Sequence, residues 1–162
     1  MKRYVLLPVA MMAFAGSAWA AESLGVFDGW AAFRDARAGR CYAIAEPERG
    51  TPGGDMRAYA SVGTWPGRGA RGQIFVRLSR PQAEKSRVYL SIGERRFALV
   101  AQPGRGWAQD ARMDAAIVAA MRSAETMSIE GKGRNGRAFY DLYVLKGAAT
   151  AIDAAALACP AR

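Results

Sequence analysis

Histidine is absent from this chain of 162 residues. Without histidine, neither a Ser-His-acid triad nor a Cys-His pair can form, which excludes the most common nucleophilic hydrolases. Histidine-bearing zinc sites are excluded in the same way, and two cysteines are too few for a closed structural zinc site. The S-x-x-K pair of serine–lysine enzymes is also missing. The sequence therefore predicts no catalytic residue, no metal site and no cofactor site.

Paired carboxylates are the one catalytic chemistry that these absences leave open. Asp110 and Asp114 are separated by about one helical turn, and some hydrolases work with two convergent carboxylates. Both residues also lie at the beginning of a predicted helix, where the helix dipole favours acidic side chains. The dipole is sufficient to explain both positions, and we predict that the protein is not an enzyme.

Cysteine is scarce, with only Cys41 and Cys159 in the whole chain. An even count in an exported protein is typical of a disulfide bond. A redox-active pair would need close spacing such as C-x-x-C, which is missing. We therefore predict one structural disulfide between Cys41 and Cys159, which closes most of the domain.

Only one long apolar run occurs, and it stands at the N-terminus. Lys2 and Arg3 precede an almost continuous apolar segment over residues 4–15, and Ala18-Trp19-Ala20 provides the small residues that a signal peptidase reads. The run is shorter than the roughly 20 residues that span a bilayer. We predict a signal peptide over residues 1–20, cleaved near Ala20-Ala21. The remaining residues, 21–162, are then a single periplasmic or secreted domain with no transmembrane segment.

Lysine is also rare, and arginine supplies most of the positive charge. The formal net charge is +9, and it falls to +7 when the two cations of residues 1–20 are removed. A genome rich in G and C codons would raise the arginine, alanine and glycine contents together, and this explains much of the bias. A basic surface still favours anionic partners. For an exported protein, we expect an envelope component or a protein partner and not nucleic acid.

Period-two alternation of apolar side chains predicts strands through most of the chain. The clearest hairpin has Val88, Leu90 and Ile92 on one face, a tight turn at Gly93-Glu94, and a returning strand through Leu99. The other predicted strands cover residues 23–34, 41–45, 57–65 and 73–80. Short strands with glycine-rich turns at this spacing predict an all-β sandwich or barrel.

Two helices interrupt this pattern. Asp110 is a suitable N-cap for a helix over residues 111–122, in which apolar side chains recur every four residues. Near the C-terminus, Thr150 and Asp153 have the spacing of an N-terminal capping arrangement. The alanine-rich segment after them predicts a short helix that ends before Pro160.

Two segments match the G-x-G-x-x-G pattern, Gly67-Gly69-Gly72 and Gly131-Gly133-Gly136. A dinucleotide-binding fingerprint needs a helix after the glycines, whereas predicted strands follow both segments, so we interpret them as hairpin loops. Alternate turns of an up-and-down sheet lie at the same end. The first loop and the Gly93-Glu94 turn could thus form one basic rim that contacts an anionic surface: Arg68, Arg71, Arg95 and Arg96. Ordinary solvated charges on hairpin ends are the alternative.

The order of short motifs along the chain resembles a known family. It runs G-x-F-x-x-W at residues 25–30, Arg40-Cys41-Tyr42, Trp107-Ala108 before an alanine-rich helix, and AIDAA-x-x-A-C at residues 151–159. This order is similar to that of the invasion-associated locus B family of exported bacterial proteins, over essentially the whole mature chain. The resemblance implies an immunoglobulin-like β-sandwich with a disulfide that joins the two matching cysteines. The family supplies no catalytic residue to transfer.

These observations lead to one functional expectation and an alternative to it. We expect an exported, non-enzymatic binding or envelope-associated protein, of a kind that the resemblance links to host-cell interaction. The alternative is an envelope accessory protein, such as an inhibitor of cell-wall hydrolases or a periplasmic chaperone. An inhibitor should present a protruding loop, and a chaperone should expose an apolar patch or an unpaired sheet edge.

Overall fold

Alternation of buried and exposed side chains runs through the long strands and sets the architecture. The computed structural model describes residues 21–160. The predicted signal peptide, residues 1–20, lies outside the described residues. On the central strands, every second side chain is buried, as in Cys41, Ala43 and Ala45 or in Val88, Leu90 and Ile92. On these central strands, one face of the sheet is therefore buried in the core.

The described part of the chain contains eleven strands and two α-helices. In chain order they are β1 (Glu22–Phe27), β2 (Trp30–Asp35), β3 (Arg40–Ala45), β4 (Arg49–Gly50), β5 (Tyr59–Trp65), β6 (Ala70–Arg77), β7 (Val88–Ile92), β8 (Arg95–Gln102), β9 (Arg105–Trp107), α1 (Ala111–Met121), β10 (Thr126–Lys132), β11 (Ala138–Val144) and α2 (Ala148–Ala158).

The strands pair antiparallel in the order β1-β2-β3-β5-β6-β9-β8-β7-β10-β11-β4. Strand β8 joins the two halves of this sheet. Its residues 95–99 pair with β7, whereas its residues 100–102 pair with β9. Buried side chains from both halves contribute to a common core. The predicted fold class is confirmed: the protein has a sandwich-like, mainly β fold with antiparallel strands, one inserted helix and one C-terminal helix.

Helix α2 packs on the inner face of β1, β2 and β3. Small side chains allow the close approach, because the buried residues of the helix include Ala148, Ala151 and Ala155 and the buried residues of the strands include Ala32 and Ala43. The helix ends at Cys159, whose disulfide to Cys41 joins it to β3, with 5.8 Å between the two Cα atoms. The predicted pairing of the two cysteines is confirmed.

Trp30 connects the two halves of the sheet inside the core. Its side chain is completely buried, and its indole Nε1 donates a hydrogen bond of 2.9 Å to the carbonyl oxygen of Val144 at the end of β11. A buried indole N–H needs such a partner, since an unpaired one would cost the lost hydrogen bond. The bond therefore fixes the end of β11 over the beginning of β2.

The N-terminal segment differs from its prediction as a single strand. Residues 23–34 are divided between β1 and β2, which form a hairpin around Asp28 and Gly29. Asp28 has a positive φ of 52°, a conformation that aspartate tolerates better than most residues. Asp-Gly is a favoured hairpin turn, so the sequence contains the signal for the break.

The capping arrangement predicted at Thr150 is wrong. Helix α2 begins at Ala148, and its N-cap is Gly147, which has a positive φ of 84°. Any Cβ at this position would collide with the carbonyl oxygen of Phe27, so glycine is required for the β1 turn and the helix to meet. Asp153 instead accepts two hydrogen bonds from Arg122, which follows α1.

Removal of the disulfide should lower the stability of the whole domain. The bond joins residues 118 positions apart, and a long closed loop restricts the unfolded chain strongly. We expect the double variant Cys41→Ser/Cys159→Ser to lose about 2–5 kcal/mol of unfolding free energy in urea titrations. A reducing agent should destabilise the wild type by a similar amount and leave the variant unchanged. Equal stability of oxidised wild type and variant would contradict this role.

Candidate ligand-binding face

Aromatic side chains cover the outer surface of the sheet where it is formed by β3, β5, β6 and β9. We define this surface as the aromatic face; its ring-bearing members are Tyr42, Tyr59, Trp65, Phe75 and Trp107. All are partly exposed, whereas the residues between them on the same strands point into the core. These strands therefore carry large apolar side chains on both faces, although only the inner face is needed for folding.

Strand register brings these rings together. Tyr42 lies opposite Gly63, and Gly63 lies opposite Gln73, which forms one row across the sheet. In the neighbouring row, Ser61 lies opposite Phe75, and Phe75 lies opposite Trp107. The two smallest members, Ser61 and Gly63, belong to the central strand β5. Larger side chains on both neighbouring strands thus stand as walls on either side of Ser61.

Gly63 determines the position of the Trp65 indole ring. A Cβ at this position would be 2.5 Å from the Cη2 and Cζ3 atoms of Trp65, so the indole ring lies over the glycine. Any larger residue at position 63 would displace the indole. Glycine in a strand interior weakens the strand, and it often marks a close approach of this kind.

The walls enclose a cavity of about 590 Å³ that opens to solvent. This volume falls within the range of roughly 300–1,000 Å³ that is typical of small-molecule sites. Apolar surface predominates in the lining, with polar groups from Arg40, Gln73 and Asp114 at its margins. Mostly aromatic walls with a few convergent polar groups are the usual composition of a ligand site.

Arg40 forms one polar margin of the aromatic face. Its guanidinium carbon lies 4.7 Å from the ring centroid of Tyr42, in a cation–π arrangement. Its Nε is 3.5 Å from Oδ2 of Asp35, an ion pair without the alignment of a hydrogen bond. On the other side, Phe33 stacks on Tyr42 with 5.6 Å between ring centroids. Tyr42 is therefore held by both neighbours.

Asp114 reaches the opposite margin from helix α1. The residue is only 6% exposed, and its Oδ1 accepts a hydrogen bond of 2.8 Å from the backbone N–H of Ile74 on β6. Burial raises the pKa of this carboxyl group, the hydrogen bond from Ile74 partly opposes the rise, and the nearby charge of Asp110 adds to it. The contact fixes α1 against the strand that carries Phe75.

The two carboxylates that the sequence left open as a catalytic pair, Asp110 and Asp114, make separate structural contacts. Asp110 is the N-cap of α1, and its Oδ1 accepts a hydrogen bond of 2.8 Å from the backbone N–H of Met113. Asp114 is turned toward β6 as described. Among residues 21–160, no group of three or more His, Cys, Asp or Glu side chains is arranged to hold a metal ion.

The four arginines of the predicted basic rim lie where β6 and β8 begin: Arg68 just before β6, Arg71 as its second residue, and Arg95 and Arg96 as the first two residues of β8. These strands run in the same direction on either side of β9, so both starting points are at the same end of the sheet. Arg68 and Arg71 are exposed, and Arg95 lies 5.0 Å from the ring centroid of Phe97. Arg96 has partners of its own, Tyr89 at 3.8 Å from its ring centroid and Glu130 at 3.6 Å.

A second cavity, of about 1,070 Å³, lies on the outer face of β7, β10 and β11. Arg96 and Glu130 line it together with Tyr140, and loop residues 83–87 form one side.

The two GxGxxG segments lie in the β5–β6 and β10–β11 hairpins, as predicted. The helices of the described chain include none that is long and apolar enough to cross a membrane.

Sequence reasoning missed the aromatic face, although a signal for it was present. Residues 57–65 alternate small and aromatic side chains, and Phe75 stands between the buried Ile74 and Val76. A strand with apolar residues at both odd and even positions carries apolar side chains on both faces. Either both faces are then buried, or one of them is available to a ligand. Only the register shows that these strands are neighbours with a shared outer face.

Comparison with known proteins identifies no relative. No family model matches the chain, and neither a curated protein nor a solved structure is similar to it.

Neutralising Asp114 should flatten the dependence of stability on pH. The pKa of its carboxyl group is raised in the folded protein, so the stability that it contributes is fully present below its ordinary value of 3.8 and is lost as pH rises through the folded value. The amide oxygen of an asparagine side chain would still accept the hydrogen bond from Ile74. We expect Asp114→Asn to lose less stability than the wild type as the pH of urea titrations rises from 3.8. Parallel pH profiles would contradict the prediction.

The basic rim should bind anionic vesicles in a salt-dependent way. We expect the variant Arg68→Ser/Arg71→Ser/Arg95→Ser/Arg96→Ser to bind vesicles with anionic headgroups at least tenfold more weakly than the wild type in a sedimentation assay. Arg96→Ser alone is the comparison variant, and its effect should be smaller because it removes one of the four charges. Equal binding of wild type and fourfold variant, insensitive to salt, would contradict the rim hypothesis.

Proposed function

We propose that this is an exported, non-enzymatic binding protein that recognises a component of the cell envelope through its aromatic face. The observation that carries the proposal is the solvent-open cavity of about 590 Å³ between aromatic side chains on the outer surface of a rigid sheet. These rings lie outside the core, which the inner face of the same strands supplies. A concave, ring-lined surface is a default candidate for a binding site.

Export is supported by the composition of the chain. The predicted signal peptide over residues 1–20 directs the protein to the periplasm or beyond, and a structural disulfide is typical of that oxidising environment. The partner is then an envelope component or a protein of the same compartment. The resemblance to the invasion-associated locus B family is a prediction from the sequence. The host-cell interaction that this resemblance would imply is a prediction as well.

The alternative, an envelope accessory protein, makes a different use of the surface. A periplasmic chaperone would offer an unpaired sheet edge, and β1 is one edge of this sheet. That edge has a register shift between Ser23 and Gly25, and such an irregularity discourages pairing with another chain. We therefore favour recognition through the aromatic face over recognition through the edge.

Capture from an envelope fraction should depend on the aromatic face. We expect the immobilised mature protein to retain components of the envelope of its own organism, and Phe75→Ala/Trp107→Ala to lose them. Tyr140→Ala is the matched control, since Tyr140 is an aromatic residue 45% exposed on β11, far from this face in the strand order. Retention of the same components by all three proteins would overturn the proposal.

A further inference from the structure

We propose that the ligand of the aromatic face is a carbohydrate chain of low charge, whose sugar rings stack on the side chains of Trp65, Phe75 and Trp107. This inference rests on the proposed function, since it assigns a ligand class to the same face. Carbohydrate rings present apolar C–H groups on their flat faces and hydroxyl groups around their edges. A site for them needs exposed aromatic faces and, beside them, hydrogen-bonding groups that the protein does not use.

The rings are arranged along a groove and not as a closed cage. Ser61 forms a low floor on β5, with Phe75 on one side, and the Trp65 indole covers the neighbouring Gly63. Trp107 extends the wall beyond Phe75 onto the next strand. Tyr59 lies near Phe75 with 5.9 Å between ring centroids and a tilt of 37° between the ring planes. A row of rings at successive strands suits a ligand with several linked rings.

The polar groups around this groove are available to a ligand. Within residues 21–160, the side-chain hydrogen bonds of the face are those of Ser61 to the Phe75 carbonyl oxygen and of Asp114 to the Ile74 N–H. The Gln73 amide, the two tyrosine hydroxyls and the indole N–H groups therefore have no protein partner there. Groups of this kind match the hydroxyl edge of a sugar, since they include both donors and acceptors.

The lining of the groove itself carries little net charge. Arg40 is the one cation that the described residues place in this lining, and its charge is balanced in part by Asp35 at 3.5 Å. Asp114 supplies a carboxylate on the opposite margin. Two exposed arginines flank the lining on the same face of the sheet, Arg77 opposite Tyr59 and Arg105 opposite Arg77. A chain of uncharged sugars fits the lining, and the two arginines lie beside it.

A purely apolar ligand fits the groove less well than a sugar. It would cover the Gln73 amide and the tyrosine hydroxyls without replacing their hydrogen bonds to water, and each polar group buried in this way lowers affinity. A sugar covers the same rings and satisfies the same polar groups. The aromatic face thus has the mixed chemistry of a carbohydrate site.

Tryptophan fluorescence provides a direct test. Trp19 lies in the predicted signal peptide, so the mature protein contains Trp30 in the core and Trp65 and Trp107 on the aromatic face. We would titrate the mature protein with tetrasaccharides of N-acetylglucosamine, of β-linked glucose and of α-linked glucose, and measure co-sedimentation with peptidoglycan sacculi. Saturable binding to at least one of these probes is expected. Absence of binding to all of them would overturn the carbohydrate proposal.

Variants separate stacking from general damage to the fold. We expect Trp107→Ala to weaken binding at least tenfold, and Gly63→Ala to weaken it by displacing the Trp65 indole although no ring is removed. Gln73→Ala, which alters an exposed polar side chain, should weaken binding by a smaller factor. Tyr140→Ala should bind like the wild type. Urea titrations of each variant identify any that is unfolded. The binding of the folded variants then decides whether the sugars stack on the aromatic face.

The two proposals fail in different ways. If envelope capture depends on Phe75 and Trp107 but no carbohydrate probe binds, the binding function stands and the carbohydrate assignment is wrong; a captured protein or lipid would then give the true ligand class. If capture does not depend on these residues, both proposals are wrong. If sugars bind equally well to wild type and Trp107→Ala, the assignment of the site is wrong.

Discussion

The disulfide between Cys41 and Cys159 is the constraint that holds strand β3 in place, and the contacts on both faces of β3 depend on it. The inner face of β3 carries Cys41 and packs against helix α2, while its outer face carries Tyr42 and belongs to the aromatic face. The disulfide prevents the helix from leaving the strand without opening the core. Because the strand cannot shift its register, Tyr42 and Arg40 keep their places relative to β5 and β6.

The aromatic face therefore obtains its rigidity from contacts made on the other side of the sheet. A ligand that stacks on fixed rings loses little affinity to ordering of the protein, since the rings are already in place. Helix α1 supports the aromatic face in the same way. The Asp114 carboxylate accepts a hydrogen bond from the Ile74 N–H and so joins the helix to the strand that presents Phe75. Two buried attachments, one covalent and one polar, thus support one exposed surface.

Sequence patterns predicted the parts of this molecule that depend on local chemistry. The alternation at Val88, Leu90 and Ile92, the turn at Gly93 and the N-cap at Asp110 were all correct, because each depends on a few neighbouring residues. The beginning of α2 was predicted wrongly, because Gly147 is required by a distant contact with Phe27. The aromatic face was missed for the same reason, since it exists only when four separate strands are placed in register.

The distribution of charge explains why composition alone did not point to the aromatic face. Positive charge is spread over strands and loops, and its long-range effect is to attract the protein to anionic material without selecting a particular molecule. The lining of the aromatic face has little net charge, and its contacts act only at short range, where ring geometry and hydrogen bonds discriminate between ligands. Under the proposed function, charge would increase the rate of encounter and the aromatic face would determine which encounters last. Strand β6 carries both Arg71 of the rim and Phe75 of the aromatic face, so the two surfaces adjoin, and a variant of one must be checked for its effect on the other.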